Sequence, residues 1–139
     1  MRNSLKTLER IKKFELDEQQ RILVLKLEKE DELIKKIKQL IADYEKEKDF
    51  VSHNPGICDF GLYTEQYLKH KNLLEKQLSL VQSEITEIRD RMADIFKEQK
   101  TYSIVDENRR IKKQKENDAQ EQKMLDEIGT NTYIKKHQE

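Results

Sequence analysis

The side chains most able to perform catalysis or bind a metal are few and scattered in this sequence. The only cysteine, Cys58, follows His53 closely enough to suggest a thiol and its base, but no orienting group completes such a site. His70 and His137 are isolated, and no HExxH motif or glycine-rich phosphate-binding loop occurs. One cysteine cannot form an internal disulfide or a cysteine-rich zinc site. We therefore expect no enzyme activity, no metal and no cofactor.

The composition favours long helices over every other fold class. Charged residues make up 40% of the 139 residues and hydrophobic residues 35%, with only three glycines and one proline. Sheet proteins need many turns, and a membrane span needs about 20 consecutive apolar residues, whereas the longest apolar run is 22–25. Lysine and arginine balance aspartate and glutamate at a net charge of +0, which is typical of solvated helix faces. With no apolar leader at the N-terminus, we expect a soluble protein of the cytoplasm.

The residues that break helices are concentrated in one place. Asn54-Pro55-Gly56 is a turn signal, because proline presets φ and glycine accepts a positive φ. The sequence therefore predicts one all-α domain, 1–139, with helix one at about 4–51, a turn at 52–61 and helix two at about 62–128. Gly129 marks the expected end of helix two and the start of a frayed tail, 129–139.

Apolar residues recur at alternating steps of four and three on both sides of the turn, which predicts an antiparallel two-helix coiled-coil hairpin. In helix one the stripe is Leu16, Leu23, Leu27, Ile34, Ile37, Ile41, Tyr44 and Val51. In helix two it is Tyr67, Leu74, Leu78, Val81, Ile85, Ile88, Met92, Ile95 and Tyr102. Opposed stripes predict that Ile41 faces Leu74, Tyr44 faces Lys71 and Lys48 faces Tyr67. Leu33 and Leu40 are expected beside this seam.

The open end of the hairpin is locally basic although the chain is neutral. The cations are Arg2, Lys6, Arg10, Lys12 and Lys13 from helix one and Arg109, Arg110, Lys112, Lys113 and Lys115 from helix two. Either a solvated face or a docking end for an acid-lined protein surface would explain them. Nucleic-acid binding is not expected, because interleaved aromatic residues and a net positive charge are missing. Beyond them, Met124, Leu125 and Ile128 form an apolar turn that the hairpin cannot cover.

Three stretches of the chain resemble the FliJ family of flagellar type III export proteins. They are the opening Leu5-Lys6-Thr7-Leu8-Glu9-Arg10, the arms Leu40-Ile41-Ala42-Asp43-Tyr44 and Tyr67-Leu68-Lys69-His70-Lys71-Asn72-Leu73-Leu74, and the tail Glu121-Gln122-Lys123-Met124-Leu125-Asp126-Glu127. Lys48 and His70 depart from the family, which usually has aromatic residues there. The resemblance implies a coiled-coil stalk that inserts into the hexameric export ATPase, contacts the cytoplasmic domain of the export gate and handles export chaperones. It places the protein in the cytoplasm, peripherally associated with the inner membrane at the flagellar base.

The resemblance also implies two sets of contact residues. The export-gate set is Ile41, Tyr44, Lys48, Tyr67, His70 and Leu74. The ATPase-ring set is Leu5, Leu8, Arg109, Arg110, Lys113, Met124, Leu125 and Ile128. The alternative is a coiled-coil chaperone or tether that works without an ATPase. A third possibility is a homo-oligomeric structural rod.

Overall fold

A computed structural model of the chain contains two helices, α1 (Arg2–His53) and α2 (Phe60–Gln138). It describes the backbone of residues 2–57 and 59–138 and the side chains of 4–57 and 59–137; Cys58 and the side chain of Arg2 lie outside this set. Within the described residues there is no strand. The prediction of an all-α helical hairpin is confirmed.

The connection between the helices uses the turn chemistry that the sequence predicts. The amide N–H of Asn54 donates to the carbonyl of Val51 at 3.2 Å, and its side-chain Nδ2 donates to the carbonyl of Phe50 at 3.0 Å, so polar groups at the end of α1 are satisfied. Gly56 then takes a φ of 88°, the left-handed region that other residues reach only at a cost. The turn is thus fixed by local hydrogen bonds and one glycine.

Asp59 caps the start of α2. Its carboxylate Oδ1 accepts a hydrogen bond from the N–H of Leu62 at 3.2 Å, and its carbonyl accepts one from the N–H of Tyr63 at 3.2 Å. An aspartate in this position satisfies a free N–H and complements the positive end of the helix dipole. The helix therefore begins at Phe60, slightly earlier than predicted.

α2 also continues to Gln138, past the end predicted for it near residue 128. Gly129 lies inside the helix and has no positive φ, and the hydroxyl of Thr132 donates to the carbonyl of Ile128 at 2.8 Å. A single glycine in a helix costs about 1 kcal/mol relative to alanine, which is too little to end it. The predicted frayed tail is thereby corrected to helix as far as Gln138.

The chain divides into two compact units. The turn unit comprises Phe14–Ile95, and the terminal unit comprises the residues up to Lys13 together with those from Phe96 onward. In the terminal unit, the start of α1 contacts α2 through an ion pair between Lys12 and Glu98, and Leu5 is buried.

The core of the turn unit is a narrow seam between antiparallel helices. Leu33 is its most buried residue at 2% exposure, and Val81 and Ile85 are buried with it. Antiparallel packing follows from two contacts between the helices, the ring stack of Tyr44 on Tyr67 and an ion pair of Lys26 with Glu84. Burial along α2 repeats every four and three residues, as predicted: Tyr67, Lys71, Leu74, Leu78, Val81, Ile85, Ile88, Met92 and Ile95.

The predicted stripe of α1 is confirmed in part. Leu23, Leu27 and Ile37 pack against the core cluster as predicted, but Leu33 and Leu40, which were expected beside the seam, also belong to it. The predicted members Ile34 and Ile41 are half-buried and do not pack against that cluster.

The predicted register is also wrong. Tyr44 faces Tyr67 rather than Lys71, so Lys48 does not face Tyr67 and is exposed. This register goes with the burial of Leu33 and Leu40, which pack in the core cluster with Leu74 and Val81. The correction amounts to one layer of the seam.

Candidate docking surfaces

Four aromatic rings are stacked beside the turn, where the sequence identified only two of them. The aromatic cluster consists of Tyr44, Phe60, Tyr63 and Tyr67. The rings of Tyr44 and Tyr67 are nearly parallel, with centroids 3.9 Å apart, and Phe60 and Tyr63 lie 5.6 and 6.0 Å from Tyr44. Aromatic pairs at the spacing of Tyr44 with Phe60 and with Tyr63 contribute about 0.5–1.5 kcal/mol each beyond their buried area. The missed signal is the helical spacing of Phe60, Tyr63 and Tyr67, which places three rings on one face of α2.

The hydroxyl of Tyr44 in the aromatic cluster forms a hydrogen bond with a side chain of α2. The hydroxyls of Tyr44 and Thr64 share a hydrogen bond at 3.1 Å. Partial burial raises the pKa of the Tyr63 hydroxyl, and the nearby carboxylates of Glu47 and Asp43 raise it further.

The export-gate set is only partly available at the surface. Leu74 is buried in the core, and Tyr44 and Tyr67 are half-buried in their stack. Lys48 and His70 are exposed, and His70 lines a shallow groove with Leu40, Gln66 and the cluster tyrosines Tyr63 and Tyr67. The accessible surface beside the turn is thus the outer face of the aromatic cluster with His70. Ile41, half-buried, flanks the seam.

The C-terminal segment, residues 107–137 of α2, is the most exposed part of the described chain. Every one of its side chains is exposed. Its surface carries hydrogen bonds between side chains one turn apart. The Nε2 of Gln114 donates to Oδ1 of Asp118, and the Nε2 of Gln122 donates to Oδ1 of Asp126, each at 3.1 Å. Met124, Leu125 and Ile128, which lie within about one helical turn, are 61%, 62% and 57% exposed. An unpacked helix that carries an apolar cluster is a candidate docking element.

The rest of the ATPase-ring set divides between buried and exposed positions. Leu5 is buried in the terminal unit, whereas Leu8, Arg109 and Lys113 are exposed. Arg110 donates two hydrogen bonds of 2.7 Å to the carboxylate of Glu107, and these raise the pKa of its guanidinium.

A cavity in the terminal unit is lined by three of the cations that the sequence predicted at the basic open end. Lys6, Arg10 and Lys13 line it together with Glu9 and Gln99. These three cations follow one face of α1, because their spacing is that of successive helical turns. Lys12 points elsewhere, into its ion pair with Glu98.

Neither a metal site nor a membrane span is found among the described residues. No group of three or more histidine, aspartate or glutamate side chains in it could hold a metal ion. Neither described helix carries a stretch apolar enough to cross a bilayer. Comparison of the chain with models of protein families, with curated proteins and with solved structures gives no match.

Proposed function

We propose that this protein is a coiled-coil stalk of a type III export apparatus of the flagellar kind, and that the C-terminal segment binds inside the ring of the export ATPase. The observation that carries the proposal is the exposure of every side chain from residue 107 to 137 in a continuous helix. Helices without packing are marginally stable in water, so a partner surface that covers this segment would stabilise it.

The chemistry of the segment suits an enclosing protein surface. Met124, Leu125 and Ile128 supply an apolar anchor, and Arg109 and Lys113 supply positive charge on the same helix. A ring lined with acidic and apolar side chains would complement both. The resemblance of the sequence to the FliJ family supports the proposal that this ring is the export ATPase, and the aromatic cluster with His70 would be the contact with the export gate.

The test is stimulation of a purified export ATPase. The protein should promote assembly of the ATPase ring and raise its rate of hydrolysis. Replacing Met124, Leu125 and Ile128 together with glutamine keeps good helix formers but removes the apolar anchor. At roughly 1 kcal/mol for each half-exposed side chain, the apparent affinity should fall on the order of 100-fold.

The matched control replaces exposed apolar residues of the turn unit, Val24 and Leu68, with glutamine. This control should stimulate the ATPase like the unmodified protein. Equal loss in both variants, or no stimulation by the unmodified protein, would refute the stalk.

A coiled-coil chaperone or tether is the second candidate, because exposed leucines such as Leu25 and Leu80 could also hold client chains. It predicts suppression of client aggregation in the absence of any ATPase. The triple glutamine variant would then retain its activity.

A further inference from the structure

A groove along the turn unit is lined by apolar side chains that nothing in the described chain covers. Its volume is about 510 Å³. Leu33 and Val81 of the seam line it, and both are buried. The remaining lining residues are Ile22, Leu25, Lys26, Lys29, Gln77, Leu80 and Glu84.

The apolar rims of the groove are unusually open. Leu25 on α1 is 64% exposed and Leu80 on α2 is 61% exposed, and Ile22 lies one turn before Leu25. Water-exposed leucines on both rims of a groove with an apolar floor indicate a surface that another helix or helix pair would cover.

The charges on the two rims of the groove determine which partner surface can bind there. Lys29 stands on the α1 rim and makes no ion pair with any described residue, whereas Glu84 stands on the α2 rim. Glu84 contacts Lys26 across the seam, and Lys29 lies one turn further along α1, so both charges fall at nearly the same height along the helices. The groove therefore has a positive and a negative rim at one level.

A surface of this kind complements itself. If a second copy is turned by a two-fold axis parallel to the helices, its negative rim lies over the positive rim of the first copy, and Lys29 meets Glu84 twice. A two-fold axis perpendicular to the helices would instead place each rim over the same rim of the second copy, so that lysine would face lysine. We propose that a second copy of this chain covers the groove, in a parallel two-fold dimer that forms a four-helix bundle in the turn unit.

The groove is small for a dimer interface. Stable interfaces bury about 800 Å² on each partner, and the six exposed apolar side chains of two copies, Ile22, Leu25 and Leu80 from each, provide less than a protein core would. The dimer should therefore be weak, with a dissociation constant on the order of 10 μM.

Sedimentation equilibrium from about 1 to 200 μM tests the dimer. The weight-average mass should rise from 16.8 kDa toward twice that value. Leu25→Glu places a charge on the rim and should raise the dissociation constant at least 30-fold. Val24→Glu is the matched control, since Val24 is also exposed but does not line the groove, and it should leave dimerisation unchanged.

Circular dichroism of both variants should show unchanged helicity. A mass that stays at 16.8 kDa throughout the range would overturn the proposal and leave the groove to a different protein. Equal effects of Leu25→Glu and Val24→Glu would overturn it as well.

Cross-linking tests the orientation. A carbodiimide joins lysines to carboxylates in direct contact, and a mixture of ¹⁴N- and ¹⁵N-labelled chains distinguishes links between chains from links within one. Mixed-isotope peptides joining Lys29 to Glu84 are expected. Mixed-isotope peptides that join only other pairs would contradict the parallel arrangement.

Lys29→Glu should raise the dissociation constant about 10-fold at low salt, and Lys38→Glu, the same charge change outside the groove, should not. None of these residues belongs to the C-terminal segment, so the dimer and the stalk are tested by different variants.

Discussion

At the scale of single residues, Tyr44 makes the most contacts that can be tested separately. Its ring stacks on Tyr67 and its hydroxyl bonds to Thr64. Tyr44→Ala should lower the free energy of unfolding by about 2–3 kcal/mol, because it removes the stack and leaves a cavity beside the turn. Tyr44→Phe should cost only about 1 kcal/mol, the net value of one hydrogen bond. Urea denaturation measures both, and a phenylalanine variant as unstable as the alanine variant would contradict the importance of stacking.

Two glycines provide a second pair of opposed predictions. A Cβ added at Gly56 or at Gly129 would meet no atom within 4 Å, so only the backbone differs. Gly56 has a φ of 88°, and Gly56→Ala should destabilise the protein by about 1 kcal/mol in a urea titration. Gly129 is helical, and Gly129→Ala should increase helicity and slow amide exchange around it. Loss of helicity in the second variant would contradict the continuous α2.

At the scale of the elements, the seam contains polar positions that weaken it. The side-chain oxygen of Gln19 is buried and has no hydrogen-bond partner in the described structure. Gln19→Leu should raise the free energy of unfolding by about 1–2 kcal/mol, because an unsatisfied polar group is replaced by an apolar one. Gln20→Leu is the control, since Gln20 is exposed and should change stability little. A larger effect of Gln20→Leu than of Gln19→Leu would contradict the burial of Gln19 in the seam.

The apolar residues of the seam explain how far the fold could be predicted from the sequence. The stripe of α2 has apolar residues at nearly every seam position, so its four-three spacing identified the buried face directly. In α1, both Leu33 and its neighbour Ile34 fit a stripe, and so do Leu40 and Ile41. Spacing within one helix cannot choose between such neighbours, because the choice depends on contacts with the other helix.

The candidate surfaces were predicted less completely for a related reason. Met124, Leu125 and Ile128 could be recognised from sequence because no apolar stripe lies opposite them. The groove at Leu25 and Leu80 brings together residues far apart in the chain, so the spacing within one helix could not reveal it.

At the scale of the whole chain, stability should be distributed unevenly. Residues 33–44 and 74–88 form the apolar part of the seam, whereas 107–137 are exposed throughout. Native-state hydrogen exchange followed by mass spectrometry should show the slowest amides in the first two ranges and the fastest helical amides in the last. Comparable protection of 107–137 in the isolated protein would contradict its lack of packing.

The short connection between α1 and α2 also bears on the order of folding. Tyr44 reaches Thr64 only 20 positions later in the chain, whereas Lys26 must reach Glu84 across a much longer loop. The entropy lost on closing a loop grows with its length, so contacts nearest the turn cost least to form first. Each layer that forms shortens the loop left for the next one, and assembly from the turn outward is the least costly route to the native state.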